Sequence, residues 1–241
     1  MDHEGYILRL KKNIIDNRAA LNAGKAEGKT ADEIEIETLE GIKLRELIDL
    51  LNMPELHDLV HEGKLTLAGI KPNTQETGLG GATDDQGAQI IRDMIQPPLE
   101  EIFSVSLFMD SKDVEAFYGS ELVEDLRQKP LGDSNVWDRY STIMTSGPAT
   151  FMLLYSEEGN AVTKWREQVG PTNLDKARSE YPNSIRGRFA LETERNLVHG
   201  SSGVDENGTY NEGIMRENVG REIEWLRSRL TKRKLQMEKA V

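Results

Sequence analysis

The chain has 241 residues, 37% of them hydrophobic and 30% charged, with a formal net charge of −12. That balance describes a globular chain long enough to bury a core unaided, and its acidity works against nucleic acid and anionic membranes as partners. There is no cysteine, which removes disulfides, thiol nucleophiles and cysteine-held metals and fits a reducing compartment.

No apolar run approaches the ~18 residues of a membrane span. The start, MDHEGYILRLKK, lacks the apolar core of a signal peptide, so a cytoplasmic location is expected. Residues 1–63 read as a polar, helical extension. A short helix is expected from Asp16 to Lys25, then a loop through Lys29. Thr30-Ala31-Asp32-Glu33 has the pattern of a capping box, in which Thr30 and Glu33 satisfy each other's backbone N–H. Leu44, Leu47, Ile48 and Leu51 fall at i, i+3, i+4 and i+7, an apolar helical stripe that must bury against something. Pro54 opens a further short helix and Gly63 can end it. His57 and His61 are four apart on it; no third metal ligand is evident, so a surface pair is favoured over a metal pair.

From residue 64 the pattern alternates strands with helices. Leu65–Ile70 is a strand, and Gly78–Gly87 a glycine-rich loop without the Gly-Lys-Ser/Thr ending of a phosphate-binding loop. Gln89–Ile95 is a helix. Phe103–Leu107 alternates, as a half-buried strand does. Asp110 or Ser111 caps a helix through Tyr118. Thr150–Tyr155 is a strand, Glu158–Val169 a helix ended at Gly170, Ala190–Val198 a strand, and Arg216–Arg233 a final helix. Asn207-Gly208-Thr209 matches a glycosylation triplet but reads as a turn. Layers of helix on one sheet give an α/β or α+β sandwich.

Residues 164–199 hold seven Lys/Arg and five Asp/Glu, a net of +2, so the remainder carries −14. This basic segment ends at His199-Gly200-Ser201. A neutral imidazole is nucleophilic near pH 7, Gly200 lets backbone approach a ligand, and Arg166, Arg186, Arg188 and Arg195 can fork onto phosphate oxygens. The same arginines could instead pair with Glu167, Glu192 and Glu194 at the surface, where each pair contributes only ~0–1 kcal/mol. Ser201 as a nucleophile with His199 as base is disfavoured, because the two are too close in sequence for a usual triad and no Gly-x-Ser-x-Gly elbow is present.

Thr145-Ser146-Gly147-Pro148, Glu158-Gly159-Asn160-Ala161-Val162, Gly170-Pro171-Thr172-Asn173, Ser184-Ile185-Arg186-Gly187 and Arg195-Asn196-Leu197-Val198-His199-Gly200-Ser201 resemble, in order and spacing, the nucleoside diphosphate kinases. Ile70-Lys71-Pro72-Asn73 and Ala116-Phe117-Tyr118 match further motifs, and the resemblance covers roughly residues 64–230. It implies a ferredoxin-like α/β sandwich with a mainly antiparallel sheet, preceded here by the helical extension 1–63 and occupying a domain at 64–241. It implies a ping-pong kinase in which His199 takes the terminal phosphoryl group of a nucleoside triphosphate and passes it to a diphosphate. Arg166, Thr172 and Arg186 would hold phosphates; Lys71 and Asn196 would meet the ribose, with Lys71 also reaching the moving phosphoryl group. Tyr118 would support the pocket, and Ser201 and Glu222 would orient His199. Mg²⁺ would travel on the nucleotide phosphates rather than on protein ligands, and the assembly would be a homo-oligomer, hexamer or tetramer. The runner-up is a weakly active, kinase-like nucleotide-binding protein with 1–63 as an interaction module.

Several positions depart from the family pattern. Gapless spacing puts Val136 where a base-stacking phenylalanine is usual; the expanded stretch before it allows one residue of slack, which assigns stacking to Trp137. Ser202 and Arg188 stand where aspartates are common, and Leu174 where a proline is. Segments 74–86 and 203–216 are longer than usual.

Overall fold

A computed structural model describes residues 2–39, 44–72, 84–203 and 211–240. The amino-terminal third is helical: α1 (His3–Lys11), α2 (Arg18–Ala26), α3 (Ala31–Leu39), α4 (Leu44–Leu51) and α5 (Pro54–His61). Then follow β1 (Leu65–Ile70), α6 (Asp84–Asp93), β2 (Glu100–Phe108), α7 (Ser111–Tyr118), α8 (Ser120–Arg127), the two-residue strands β3 (Pro130–Leu131) and β4 (Ser134–Asn135), and α9 (Val136–Thr145). The chain closes with β5 (Pro148–Tyr155), α10 (Ala161–Val169), α11 (Leu174–Glu180), α12 (Ile185–Phe189), β6 (Val198–Gly200) and α13 (Glu212–Ala240).

The main sheet has the order β2-β5-β1-β6, every neighbour antiparallel. Period-two alternation sorts its side chains into two cores. Leu65 and Leu67 of β1 and Ala149, Phe151 and Leu153 of β5 face α7, α13 and the extension. Ala68, Ile70, Met152 and Leu154 face α10 and α6. The expected sandwich is therefore present.

The local signals act as read. Thr30 Oγ1 accepts from Glu33 N–H at 3.3 Å while the Glu33 carboxylate accepts from Thr30 N–H at 2.9 Å. Asp110, rather than Ser111, caps α7, in a reciprocal box with Asp113. The stripe Leu44, Leu47, Ile48 and Leu51 is buried, together with Tyr6, Ile7 and Leu10 of α1, in the same core as β1 and α13. A boundary near residue 63 thus divides helices from sheet but does not divide two cores.

Three expectations are corrected. Phe103–Leu107 is buried on both faces, because Ser104 and Ser106 lie under α2 and the segment before it. Ile14 bridges Ser104 in parallel, and Asn17 exchanges two hydrogen bonds with the backbone of Ser106 (3.0 and 2.9 Å), so the extension covers the outer edge of β2. Ala190–Val198 is not a strand: Glu192–Arg195 offers no apolar alternation and Leu197 sits at φ 72°, so only Val198–Gly200 pairs. Residues 84–87 of the expected glycine-rich loop begin α6; the rest of that loop and the Asn207 triplet lie outside the described residues. Among the described residues no helix is long and apolar enough to cross a membrane.

Candidate active site

β6 lies antiparallel to β1 with His199 opposite Gly69. A Cβ at residue 69 would sit 3.2 Å from the His199 Cβ, so the glycine makes room for the imidazole on the face shared with α7 and α13. There the ring meets Phe117 edge-on at 4.8 Å and Tyr118 at 5.5 Å. Its Nε2 lies 3.0 Å from Glu222 Oε1 on α13, and Glu222 Oε2 accepts from Ser201 Oγ at 2.5 Å. A carboxylate only accepts, so in the neutral ring Nε2 carries the hydrogen and Nδ1 keeps its lone pair. Among the described residues Nδ1 has no hydrogen-bond partner. The His199 side chain is 11% exposed and that of Glu222 3%: the base-orienting group is sealed while the imidazole retains an opening.

Two arginines that precede His199 in sequence are brought to the elements around it. Ser184 caps the short helix α12, which turns Arg186 inward. Its guanidinium donates to Gly170 O (3.0 Å), Thr172 Oγ1 (3.1 Å) and Val198 O (3.1 Å). Burial pulls the Arg186 pKa down to about 10, and its Nε is buried without a partner among the described residues. A desolvated cation with an unused donor favours an anion beside it. Arg166, in the last turn of α10, donates to Ser201 O at 3.4 Å. Other cations of the basic segment make different bonds: Arg178 donates to Ala190 O and Lys164 to Glu158, while Arg195 lies 3.7 Å from Glu192, which Arg139 of α9 also reaches.

Lys71 follows β1 and is held at both ends. Its N–H donates to Leu197 O at 2.8 Å; its Nζ donates to Asn196 Oδ1 at 2.8 Å and stands 4.2 Å above the Tyr140 ring. Burial, then repulsion from Arg186, holds its pKa well below the ordinary lysine range, opposed by Glu194. Tyr140 OH donates to Tyr118 OH at 2.8 Å. Burial pushes Tyr118 well up and Tyr140 up to about 12, so both remain neutral donors. The fold therefore gathers His199, Glu222, Ser201, Lys71, Asn196, Tyr118, Arg166, Thr172 and Arg186.

It does not present Trp137 in the same way. That residue is 5% exposed, in the core, and Arg127 stands 5.7 Å from its ring. Stacking a base on it would require the ring to be uncovered. Val136 is only partly buried. The reading of Gly200 also changes: its missing Cβ leaves space for Trp165, whose ring would lie 3.0 Å from one, and whose Nε1 donates to His199 O at 2.9 Å. Tyr140, Trp165 and Phe117 were not singled out as site residues by sequence; Tyr140, four residues after Val136, had a helical spacing that could have found it. His57 and His61 are exposed, and among the described residues no group of three or more His, Cys, Asp or Glu gathers to hold a metal.

A family model described as nucleoside diphosphate kinase matches residues 65–216. The chain is 32% identical over 140 residues to a nucleoside diphosphate kinase of Desulfosudis oleivorans, covering 58% of this chain and 85% of that one. It is 31% identical over 196 residues to human thioredoxin domain-containing protein 6, covering 80% of this chain and 54% of that protein. The Xenopus laevis protein of that name is 28% identical over 200 residues; the alignment takes in 80% of this chain but only 28% of that longer relative. A solved Aquifex aeolicus nucleoside diphosphate kinase aligns at 24% identity and a TM-score of 0.49, over 68% of this chain and 94% of the other.

Proposed function

The chain belongs to the nucleoside diphosphate kinase family, and from that premise we propose that it moves the terminal phosphoryl group of a nucleoside triphosphate to a nucleoside diphosphate through His199. The observation that carries the reading is the division of labour on one ring: Nε2 is bound to Glu222 and Nδ1 is left with its lone pair. In the first half-reaction Nδ1 forms a bond to the terminal phosphorus as the bridging P–O bond breaks, and the diphosphate leaves with that electron pair. In the second, a diphosphate oxygen attacks the same phosphorus and the N–P bond breaks. The positive charge that develops on the imidazole is met by Glu222, whose other oxygen is held by Ser201.

Arg186, Arg166 and Thr172 take phosphate oxygens, Arg186 offering its unused Nε. Lys71 and Asn196 meet the ribose hydroxyls, and Lys71 also reaches the transferring group. Tyr118 supports the nucleophile's side of the pocket. Mg²⁺ on the phosphates lowers the charge that these cations must neutralise. A homo-oligomer, hexamer or tetramer, would be built without the β2 edge that Ile14 and Asn17 cover. The thioredoxin chemistry in two relatives' names has no thiol in these residues to carry it.

The test is incubation with triphosphate labelled at the terminal phosphorus. Label should appear on the chain as acid-labile phosphohistidine and be discharged by added diphosphate. His199→Ala should abolish both, and an alanine variant with near-normal turnover would remove His199 as the nucleophile.

A further inference from the structure

We infer that Arg18, in the amino-terminal extension, is a positioning residue of the active site: it fixes the peptide of Lys71 from behind the sheet. The inference rests on the kinase reading above.

The observation is a buried bridge across 53 positions of sequence. Arg18 opens α2 and is 3% exposed. Its Nη2 donates to Lys71 O at 3.0 Å, and its Nη1 to Thr150 Oγ1 at 3.0 Å and Ile70 O at 3.4 Å. Thr150 Oγ1 is in turn 2.8 Å from Ser106 Oγ, whose backbone Asn17 grips. The otherwise unexplained hydroxyls Ser106 and Thr150, on the sheet face opposite His199, thus form with Asn17 a polar seat for one guanidinium. Lys25, further along α2, reaches Ser146 O at the turn between α9 and β5.

What Arg18 touches gives the seat a consequence at the site. Lys71 is the residue at which β1 leaves the sheet, and strand pairing ends at Ile70. Beyond that point its backbone is held by two bonds, N–H to Leu197 O and C=O from Arg18. Leu197 is itself in the left-handed region, two residues before His199, a conformation that persists only where its surroundings impose it. Arg18 therefore holds the carbonyls of both peptides that flank the Lys71 Cα; the N–H of the first of them restrains the strained approach to the nucleophile, and the Lys71 side chain between them carries the ammonium. A planar guanidinium can span two successive carbonyls and a hydroxyl; an apolar side chain of similar length cannot. Displacement of a positioned group by about 1 Å can cost about 10²-fold in rate.

The experiment is a double-mutant cycle in the full chain. Arg18→Met should lower kcat by about tenfold or more while the KM for diphosphate moves less than about threefold, with Arg18→Lys recovering part of the rate. In a Lys71→Met background, Arg18→Met should cost less than about a further twofold, because the ammonium it positions is gone. Tyr6→Phe is the structural control: it deletes a buried bond made wholly within the extension, to Leu50 O, and should leave kcat within about twofold. Should Arg18→Met not fold, the same cycle with Arg18→Lys decides. Additive losses in the cycle, or an equal loss in Tyr6→Phe, would show that Arg18 acts only on the fold and overturn the inference. A wild-type chain that transfers no phosphoryl group overturns the kinase reading, and this inference with it.

Discussion

Burial holds the Lys71 ammonium well below the ordinary lysine range, and an anion brought beside it must pull that value back up. The sign follows from proton counts. Between the depressed folded value and the unfolded value, the unfolded chain binds the proton and the empty site does not, so stability rises with pH across that window. Where Lys71 meets a phosphate, the anion favours its charged form, so binding within that window should take up a proton. Calorimetry of diphosphate binding in two buffers of different ionisation heat, within that window and where the terminal phosphate is already ionised, should show proton uptake and an affinity that falls as pH rises. Lys71→Met should bind without that uptake. Equal uptake in both proteins would mean that another group titrates and that Lys71 does not face the phosphates.

At the scale of the helix, one residue of register is about 100° of rotation. Val136 and Tyr140 are four apart on α9 and share a face, and Tyr140 is the residue that receives Lys71 and holds Tyr118. Trp137 is a step round from that face and is buried in the same core as Met144, seven residues on. Spacing alone could not separate the two, because the preceding stretch is longer than the family pattern; Gly119, Pro130 and Gly132 mark breaks in it without fixing how many residues α8 and the small hairpin take. Trp137→Phe should therefore lower stability by about 1–3 kcal/mol, as a core truncation does, and leave diphosphate affinity within about twofold. A tenfold loss of affinity with unchanged stability would restore the indole to the base site. Elements with dense local signals were legible: β1, β5, the capped α7, and the dyad of His199 and Glu222 through its family motif. Those held by distant partners were not. Nothing near Arg18 in sequence points to Lys71, and the alternation of Phe103–Leu107 marks a polar face without saying that α2 will cover it.

The whole molecule joins extension and catalytic layer through one buried carboxylate. Glu35 of α3 is fully buried and accepts from Phe108 N–H at the end of β2 (2.6 Å), from Arg229 (3.0 Å) and from Arg233 (2.6 Å), both on α13. Arg229 also donates to Asp113 at 3.2 Å, in the first turn of α7. The helices that carry Glu222 and Tyr118 are thus tied to the extension by charge as well as by the shared apolar core. Removing one member of a buried ion group leaves the others desolvated and uncompensated, which typically costs about 3–5 kcal/mol. Arg233 is 1% exposed, and its Nε and Nη1 already lack partners among the described residues; apart from Glu35 its acceptor is the exposed carboxylate of Asp32. Glu35→Gln should lower the free energy of urea unfolding by about that amount. Asp32→Asn removes a carboxylate that also meets Arg233 but is 67% exposed, and should change it by less than about 1 kcal/mol. Unfolding should remain a single transition seen alike by far-ultraviolet dichroism and by the fluorescence of Trp225, which lies in the shared core. Equal, small effects of the two substitutions would mean that the buried arginines find water in place of Glu35, and that the extension is held by its apolar stripe alone.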